Sequence, residues 1–114
     1  MIKVCKSEDI VPNTGVAALA NGEQVAIFRV IIDGNEKLYA LSNYDPFSKA
    51  NVISRGIVGS IAGQVVVASP IYKQHFRLED GVCVEDESVA ITPWTVQLQN
   101  GEVLIAKSST QVAA

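Results

Sequence analysis

A length of 114 residues fits a single domain, and a net charge of −3 with dispersed Lys and Arg excludes the clustered positive charge that nucleic-acid binding requires. Hydrophobic residues make up 48% of the chain, yet its apolar runs are far shorter than the ~20 residues of a membrane-spanning helix. The first residues, MIKVCKSED, contain no apolar stretch of signal-peptide length, so we expect a cytoplasmic protein with no membrane partner.

Short runs rich in Val, Ile and Thr follow one another along the chain, separated by turn signals. Asn21-Gly22 and Asn100-Gly101 are typical of two-residue hairpin turns, and Asp33-Gly34 and Asp80-Gly81 also predict turns. The predicted strands contain VAALA, EQVAIFRVII, KLYALS, GQVVVA, TVQLQ and EVLIA. No long apolar stripe of helical period appears, so we predict an all-β fold, an antiparallel sandwich or small barrel.

Individual positions support a packed β domain without a disulfide framework. Trp94 begins an alternation of apolar and polar residues in the last predicted hairpin, and we predict it in the core. Cys5 and Cys83 lie far apart and form no CxxC motif, so we predict both as buried small hydrophobes. Residues 108–114 are small and polar, and we predict a disordered tail there.

Two longer segments interrupt the regular spacing of strands. SNYDPFSKANVISRG, residues 42–56, follows the strand KLYALS, and SPIYKQ, residues 69–74, follows QVVVA. Each carries a proline within a polar stretch. Ordered loops on a rigid scaffold are frequent functional sites, so we expect the function of the chain to involve these two.

The two loops resemble the signature of Rieske iron–sulfur domains. That signature has Asn-x-Cys-Pro-His in the first loop, and in the second Cys-Pro-x-His-Gly with an aromatic residue shortly before Asp-Gly. YALSNYDPF keeps Asn43 and Pro46, and ASPIYKQHFRLEDG keeps Pro70, Phe76 and Gly81. The resemblance implies a Rieske-like domain over residues 1–107, with residues 42–81 as a cluster-binding-like subdomain.

The ligand positions of that signature hold unsuitable side chains. Asp45 and Ser69 stand where the cysteines would be, and Phe47 and Tyr72 where the histidines would be. A Rieske cluster needs two thiolates and two imidazoles, so we predict no cluster and no metal. Asp45 and Ser69 are instead expected to hold the loops by hydrogen bonds, while Phe47 and Tyr72 fill the vacated volume. An oxygen and nitrogen metal site made by Asp45, Tyr72 and His75 is the alternative.

Most of the chain, from about residue 10 to residue 86, is similar to the small-subunit family of NAD(P)H-dependent nitrite reductases. The matching blocks are VPNTGVAAL, EQVAIFR, ALSNYDPF, ISRGIVG, VASPIYKQHFRL and DGVCVEDE. The resemblance implies a cytoplasmic partner of a large subunit that carries FAD, sirohaem and a [4Fe–4S] cluster and reduces nitrite to ammonium in nitrate assimilation. A free-standing Rieske-like binding or electron-transfer module with an unconventional centre is the alternative.

No nucleophile–base pair is evident, so we predict no catalytic residue in this chain. Basic side chains in or beside the two loops suggest a surface that docks on the large subunit. These residues are Lys49, Arg55, Lys73, His75 and Arg77. The alternative is scattered surface charge, with His75 as an ordinary solvent-facing strand residue.

Overall fold

A computed structural model describes residues 1–107, so the predicted tail at residues 108–114 lies outside the described residues. The described part contains eleven strands and two 3-10 turns, and none of its helices is long and apolar enough to cross a membrane. The strands are β1 Ile2–Lys6, β2 Thr14–Ala20, β3 Glu23–Ile32, β4 Asn35–Ser42, β5 Tyr44–Asp45, β6 Ala50–Asn51, β7 Ile57–Ile61, β8 Gln64–Ala68, β9 His75–Arg77, β10 Pro93–Gln99 and β11 Glu102–Lys107. The 3-10 turns are Ser7–Asp9 and Ile53–Arg55.

Six strands form an antiparallel sheet in the order β1-β11-β10-β4-β3-β2. The first and last strands of the chain are therefore neighbours, with Ile2 opposite Ile105. The hairpin turns at Asn21-Gly22, Asp33-Gly34 and Asn100-Gly101 have positive φ at both residues, between 51° and 79°. This is the type I′ geometry that the Asn-Gly pairs predict.

Strand β3 is buried on both faces, which explains its nearly unbroken apolar run. Val25 and Ile27 face one core, which also contains Trp94. Ala26 and Phe28 face a second core, made with the smaller sheet and the loops. Because successive side chains of a strand point to opposite faces, one strand serves both cores. The predicted core position of Trp94 is confirmed, and its indole N–H donates to the Ser42 hydroxyl at 3.1 Å.

A second, three-stranded sheet in the order β7-β8-β9 packs, through Val67 and Phe76, on the face of β3 that carries Ala26 and Phe28. The hairpin between β7 and β8 turns at Ala62 and Gly63, whose φ values are 52° and 80°. No turn was predicted at these two residues, because alanine rarely adopts positive φ. The two long segments begin where β4 and β8 end, and β5 and β6 form a small ladder within the first.

Candidate functional site

Asn43 fixes the first loop to the body of the domain. Its side chain is buried, its amide nitrogen donates to Gln24 Oε1 at 3.1 Å, and its amide oxygen accepts the Ser54 backbone N–H at 2.7 Å. Its backbone N–H donates to the Gln24 carbonyl at 2.9 Å. One side chain thus joins the start of the loop, its end and strand β3, which accounts for the asparagine in the motif.

Within this loop, Asp45-Pro46-Phe47-Ser48-Lys49 forms a compact turn. One Asp45 carboxylate oxygen accepts the Phe47 backbone N–H at 2.9 Å, two residues ahead. The Asp45 carbonyl accepts the Lys49 backbone N–H at 2.7 Å, four residues ahead. Lys49 ends the turn in the left-handed region, with φ of 59°. Asp side chains commonly stabilise such turns by bonding the backbone two residues on.

The second loop repeats this turn with a different first residue. Ser69-Pro70-Ile71-Tyr72-Lys73 places the Ser69 hydroxyl oxygen 3.3 Å from the Ile71 backbone nitrogen, whose N–H it accepts. The Ser69 carbonyl accepts the Lys73 backbone N–H at 3.1 Å, and Lys73 has φ of 68°. DPFSK and SPIYK are therefore two copies of one local structure. The repeat was not predicted from the sequence, although an acceptor side chain, Pro and a lysine three residues after the Pro recur in both.

The two turns DPFSK and SPIYK, which we call the proline turns, are joined at their first residues. Ser69 Oγ donates to Asp45 Oδ2 at 2.5 Å, and both residues are 0% exposed. Burial raises the pKa of the Asp45 carboxyl, but the hydrogen bonds from Ser69 and the Phe47 N–H outweigh it and hold that pKa below its usual range. The buried carboxylate is thus ionised at neutral pH and is stabilised by donors from both turns. The expectation that Asp45 and Ser69 link the loops by a hydrogen bond is confirmed.

This donor set does not fit a [2Fe–2S] cluster. Asp45 and Ser69 offer hard oxygen atoms that already bond each other, whereas the cluster takes thiolate and imidazole. Phe47 has no donor atom, and its half-buried ring packs 6.1 Å from the Phe76 ring at 43°. Tyr72 is 60% exposed, so the expectation that it fills the vacated volume is wrong. Its position in the motif gave no information on the direction of its side chain.

The three residues of the alternative site have separate surroundings, since Asp45 is buried and bonded to Ser69 whereas Tyr72 is exposed. The His75 ring nitrogen Nδ1 lies 2.6 Å from Glu85 Oε2, and the His75 backbone N–H donates to the same carboxylate at 2.8 Å. Within residues 1–107, no three His, Cys, Asp or Glu side chains come together as a metal site requires. His75 is half-buried in β9, where its ring is hydrogen-bonded to the Glu85 carboxylate beside the loops.

The predicted docking residues separate into two locations. Lys49 and Lys73 are exposed at the ends of the two proline turns, and Arg55 is exposed on the adjoining 3-10 turn. Arg77 instead forms a double hydrogen bond with Asp80, at 3.1 and 2.8 Å. Its side chain lines a groove with Gly63 and Gln64, at the opposite end of β8 from the second loop. The structure thus does not bring Arg77 together with the two lysines.

Neither cysteine is part of this site. Cys83 is fully buried, as predicted, and Cys5 is half-buried in β1. Burial is the main cause that raises the pKa of both thiols, which keeps them protonated and unreactive near neutral pH.

The comparisons with known proteins agree with this architecture. Residues 1–106 match the family model of the Rieske-like [2Fe-2S] domain. The chain is 47% identical over 100 residues to the nitrite reductase (NADH) small subunit of Salmonella typhimurium, covering 88% of this chain and 91% of that protein. The chain belongs to the Rieske-like nitrite reductase small subunits. This confirms the family and the fold that the two loops indicate.

Two further relatives extend the comparison. A crystal structure of a putative NADH-dependent nitrite reductase small subunit from Mycobacterium tuberculosis superposes with a TM-score of 0.86 at 39% identity, covering 93% of each chain. A nitrite reductase [NAD(P)H] large subunit of Klebsiella oxytoca is 37% identical over 102 residues, which are 90% of this chain and 10% of that protein. In that relative, a domain similar to this small subunit is part of the large-subunit chain.

Proposed function

We propose that this chain is the small subunit of a cytoplasmic NAD(P)H nitrite reductase and binds a large subunit that carries FAD, sirohaem and a [4Fe–4S] cluster. The complex reduces nitrite to ammonium in nitrate assimilation, and the chemistry belongs to the large subunit. The observation that carries this proposal is the 47% identity to a nitrite reductase small subunit over nearly the full length of both chains.

The role of this chain is to bind and stabilise the large subunit. At the end of the domain where a Rieske protein holds its cluster, the buried link is the Asp45–Ser69 hydrogen bond. Neither group transfers electrons, and the donor set around them suits no cluster. The turns are nevertheless built with the same bonds in both loops, which is the expected feature of a rigid binding surface.

The two proline turns form the surface that contacts the large subunit. Lys49 and Lys73 are exposed at equivalent positions, and Ile71 and Tyr72 are exposed beside Lys73. Apolar side chains surrounded by a polar rim are typical of protein interfaces, and the two lysines give this rim a positive charge that favours an acidic partner surface. The large subunit is therefore expected to offer an apolar contact flanked by acidic side chains.

The test is purification of the complex. The tagged chain and its large subunit are co-expressed, and the eluate is assayed for NADH- and NADPH-dependent reduction of nitrite. We expect a stable complex that produces ammonium. Elution of the tagged chain alone, from cells in which the large subunit is soluble, would contradict the proposed function.

A charge reversal tests the docking surface separately. We expect the double variant Lys49→Glu and Lys73→Glu to weaken binding by roughly tenfold, about 1.4 kcal/mol, because it places negative charge against the acidic rim. Lys37→Glu is the matched control, because Lys37 lies over the Tyr39 ring in the groove at the other end of the domain. Equal affinities for the double variant and the control, measured by biolayer interferometry, would remove the proline turns from the interface.

A further inference from the structure

Among the described residues, one edge of strand β7 has no partner strand. The strand pairs with β8 alone, and among the described residues no backbone hydrogen bond other than those to β8 reaches residues 57–61. Its sequence, IVGSI, carries no charge and no proline. Ile57 is 75% exposed and Ile61 is 37% exposed. An uncharged edge of this kind presents unpaired N–H and C=O groups to any strand that fits it.

Two of the other edges of the two sheets, β1 and β9, are protected. The third, β2, packs against the second 3-10 turn, since a Cβ on Gly15 would lie 3.0 Å from the Ser54 carbonyl oxygen. Strand β1 carries Lys3 and Lys6 and has a register irregularity between Lys3 and Cys5. Strand β9 has only three residues, and Phe76 makes a bridge to Cys83 on its outer side. Charges, bulges and short edge strands are the usual means of preventing edge-to-edge association. Strand β7 has five residues, and it carries neither a charged side chain nor a bulge.

The strand is also complementary to itself. Val58 packs towards the core, so Ile57, Gly59 and Ile61 share the opposite face. If two copies pair in antiparallel fashion with Gly59 opposite Gly59, Ile57 meets Ile61 of the second copy and Val58 meets Ser60. The same register sets Arg55 beside Gly63 of the second copy, so no like charges face each other. β-Branched residues such as Ile57 and Ile61 favour such pairing, because they pack well against cross-strand neighbours on a pleated surface.

We propose that β7 is a self-association edge, at which a second copy of this chain adds its own β7 and the two three-stranded sheets become one six-stranded sheet. The interaction surface is small, because each copy contributes only five residues. Association is therefore weak and depends on concentration, as for transient interfaces below about 1,200 Å². The inference concerns the isolated chain and does not rest on the large subunit.

The experiment is sedimentation equilibrium on the full chain from about 10 μM to 1 mM, a range chosen for weak interfaces. We expect the weight-average mass to rise from 12.2 kDa towards twice that value. Gly59→Lys and Gly59→Glu are the test variants, because a side chain at Gly59 meets no atom within 4 Å and the domain is expected to fold unchanged. Each should weaken self-association at least ~5-fold, because like charges then meet across the pair.

Mixing the two variants makes the test specific. Residue 59 faces itself only in the proposed register, so an equimolar mixture of the Lys and Glu variants should associate at least as strongly as the unmodified chain. A mass that stays at 12.2 kDa at 1 mM would overturn the proposal. Self-association that neither variant weakens would overturn it equally, because the contact would then lie elsewhere.

Discussion

Asp45 is a buried carboxylate whose partners all come from the two proline turns. It accepts the Ser69 hydroxyl and the Phe47 N–H, while its carbonyl accepts the Lys49 N–H. A buried charge is tolerable only when hydrogen bonds replace its lost hydration. The side chain that stands in place of a cluster cysteine therefore also holds the two loops together.

Removing either partner should destabilise the domain. We expect Asp45→Ala to lower the free energy of unfolding by about 3 kcal/mol and Ser69→Ala by about 2 kcal/mol, because each leaves buried polar groups without partners. The double variant should lose less than the sum, with a coupling of about 1 kcal/mol. Asp80→Ala is the control and should cost less than either, since it removes only an exposed ion pair with Arg77 and one exposed bond to the Val82 N–H. Urea unfolding measures all four, and strictly additive losses would show that the two groups do not interact.

The ionisation of Asp45 makes stability depend on pH. Its folded pKa is lowered, so it contributes stability that is fully present above the unfolded pKa of about 3.9 and is lost as pH falls through the folded value. We expect Asp45→Asn to be less stable than the unmodified chain at pH 7, with the difference narrowing below about pH 4. Urea unfolding at pH 7, 4 and 3 checks this, and a constant difference would contradict it.

At the scale of single elements, the hairpins were predictable where the turn residues have a conformational reason. Asn-Gly and Asp-Gly accept positive φ, and three hairpins follow from them. Strand β7 and its Ala62-Gly63 turn were not predictable, because alanine carries no turn preference and IVGSI follows directly on a long loop. The direction of Tyr72 was also missed, since loop residues lack the fixed alternation of a strand.

Two glycines beside and within β7 test how tightly this element is packed. A Cβ on Gly56 would lie 2.3 Å from the Ala68 carbonyl oxygen, whereas a Cβ on Gly59 meets no atom within 4 Å. We expect Gly56→Ala to cost at least about 2 kcal/mol, because backbone must move, and Gly59→Ala to be within about 0.5 kcal/mol of the unmodified chain. Thermal unfolding at low protein concentration compares them, and equal losses would contradict the close approach of Gly56 to β8.

At the scale of the whole molecule, one strand unites the two sheets. Strand β3 gives alternate side chains to the two cores, so neither core is complete without this strand. The sequence predicted the all-β fold and the positions of the two loops, because alternation and motif spacing are local properties. It did not predict that Arg77 lies at the other end of β8 from the lysines, because the direction of a long side chain depends on its ion-pair partner.

The pairing of β1 with β11 brings the first and last described strands side by side. With Ile2 opposite Ile105, a short Gly/Ser linker in place of residues 108–114 closes the backbone into a ring. We expect a circular permutant opened between Ala62 and Gly63 to fold and to unfold cooperatively, because that turn is exposed. A permutant opened between Pro46 and Phe47 should be much less stable, since it interrupts the turn that Asp45 organises.

Circular dichroism and thermal unfolding distinguish the two permutants, and equal stability would contradict the importance of the proline turn. A domain whose ends lie side by side can also be joined to another protein at either end without rearrangement. The Klebsiella oxytoca large subunit is a natural example of such a fusion, because a similar domain occupies one tenth of its length. In evolutionary terms, a domain of this fold can be encoded by a gene of its own or as one part of a fused gene.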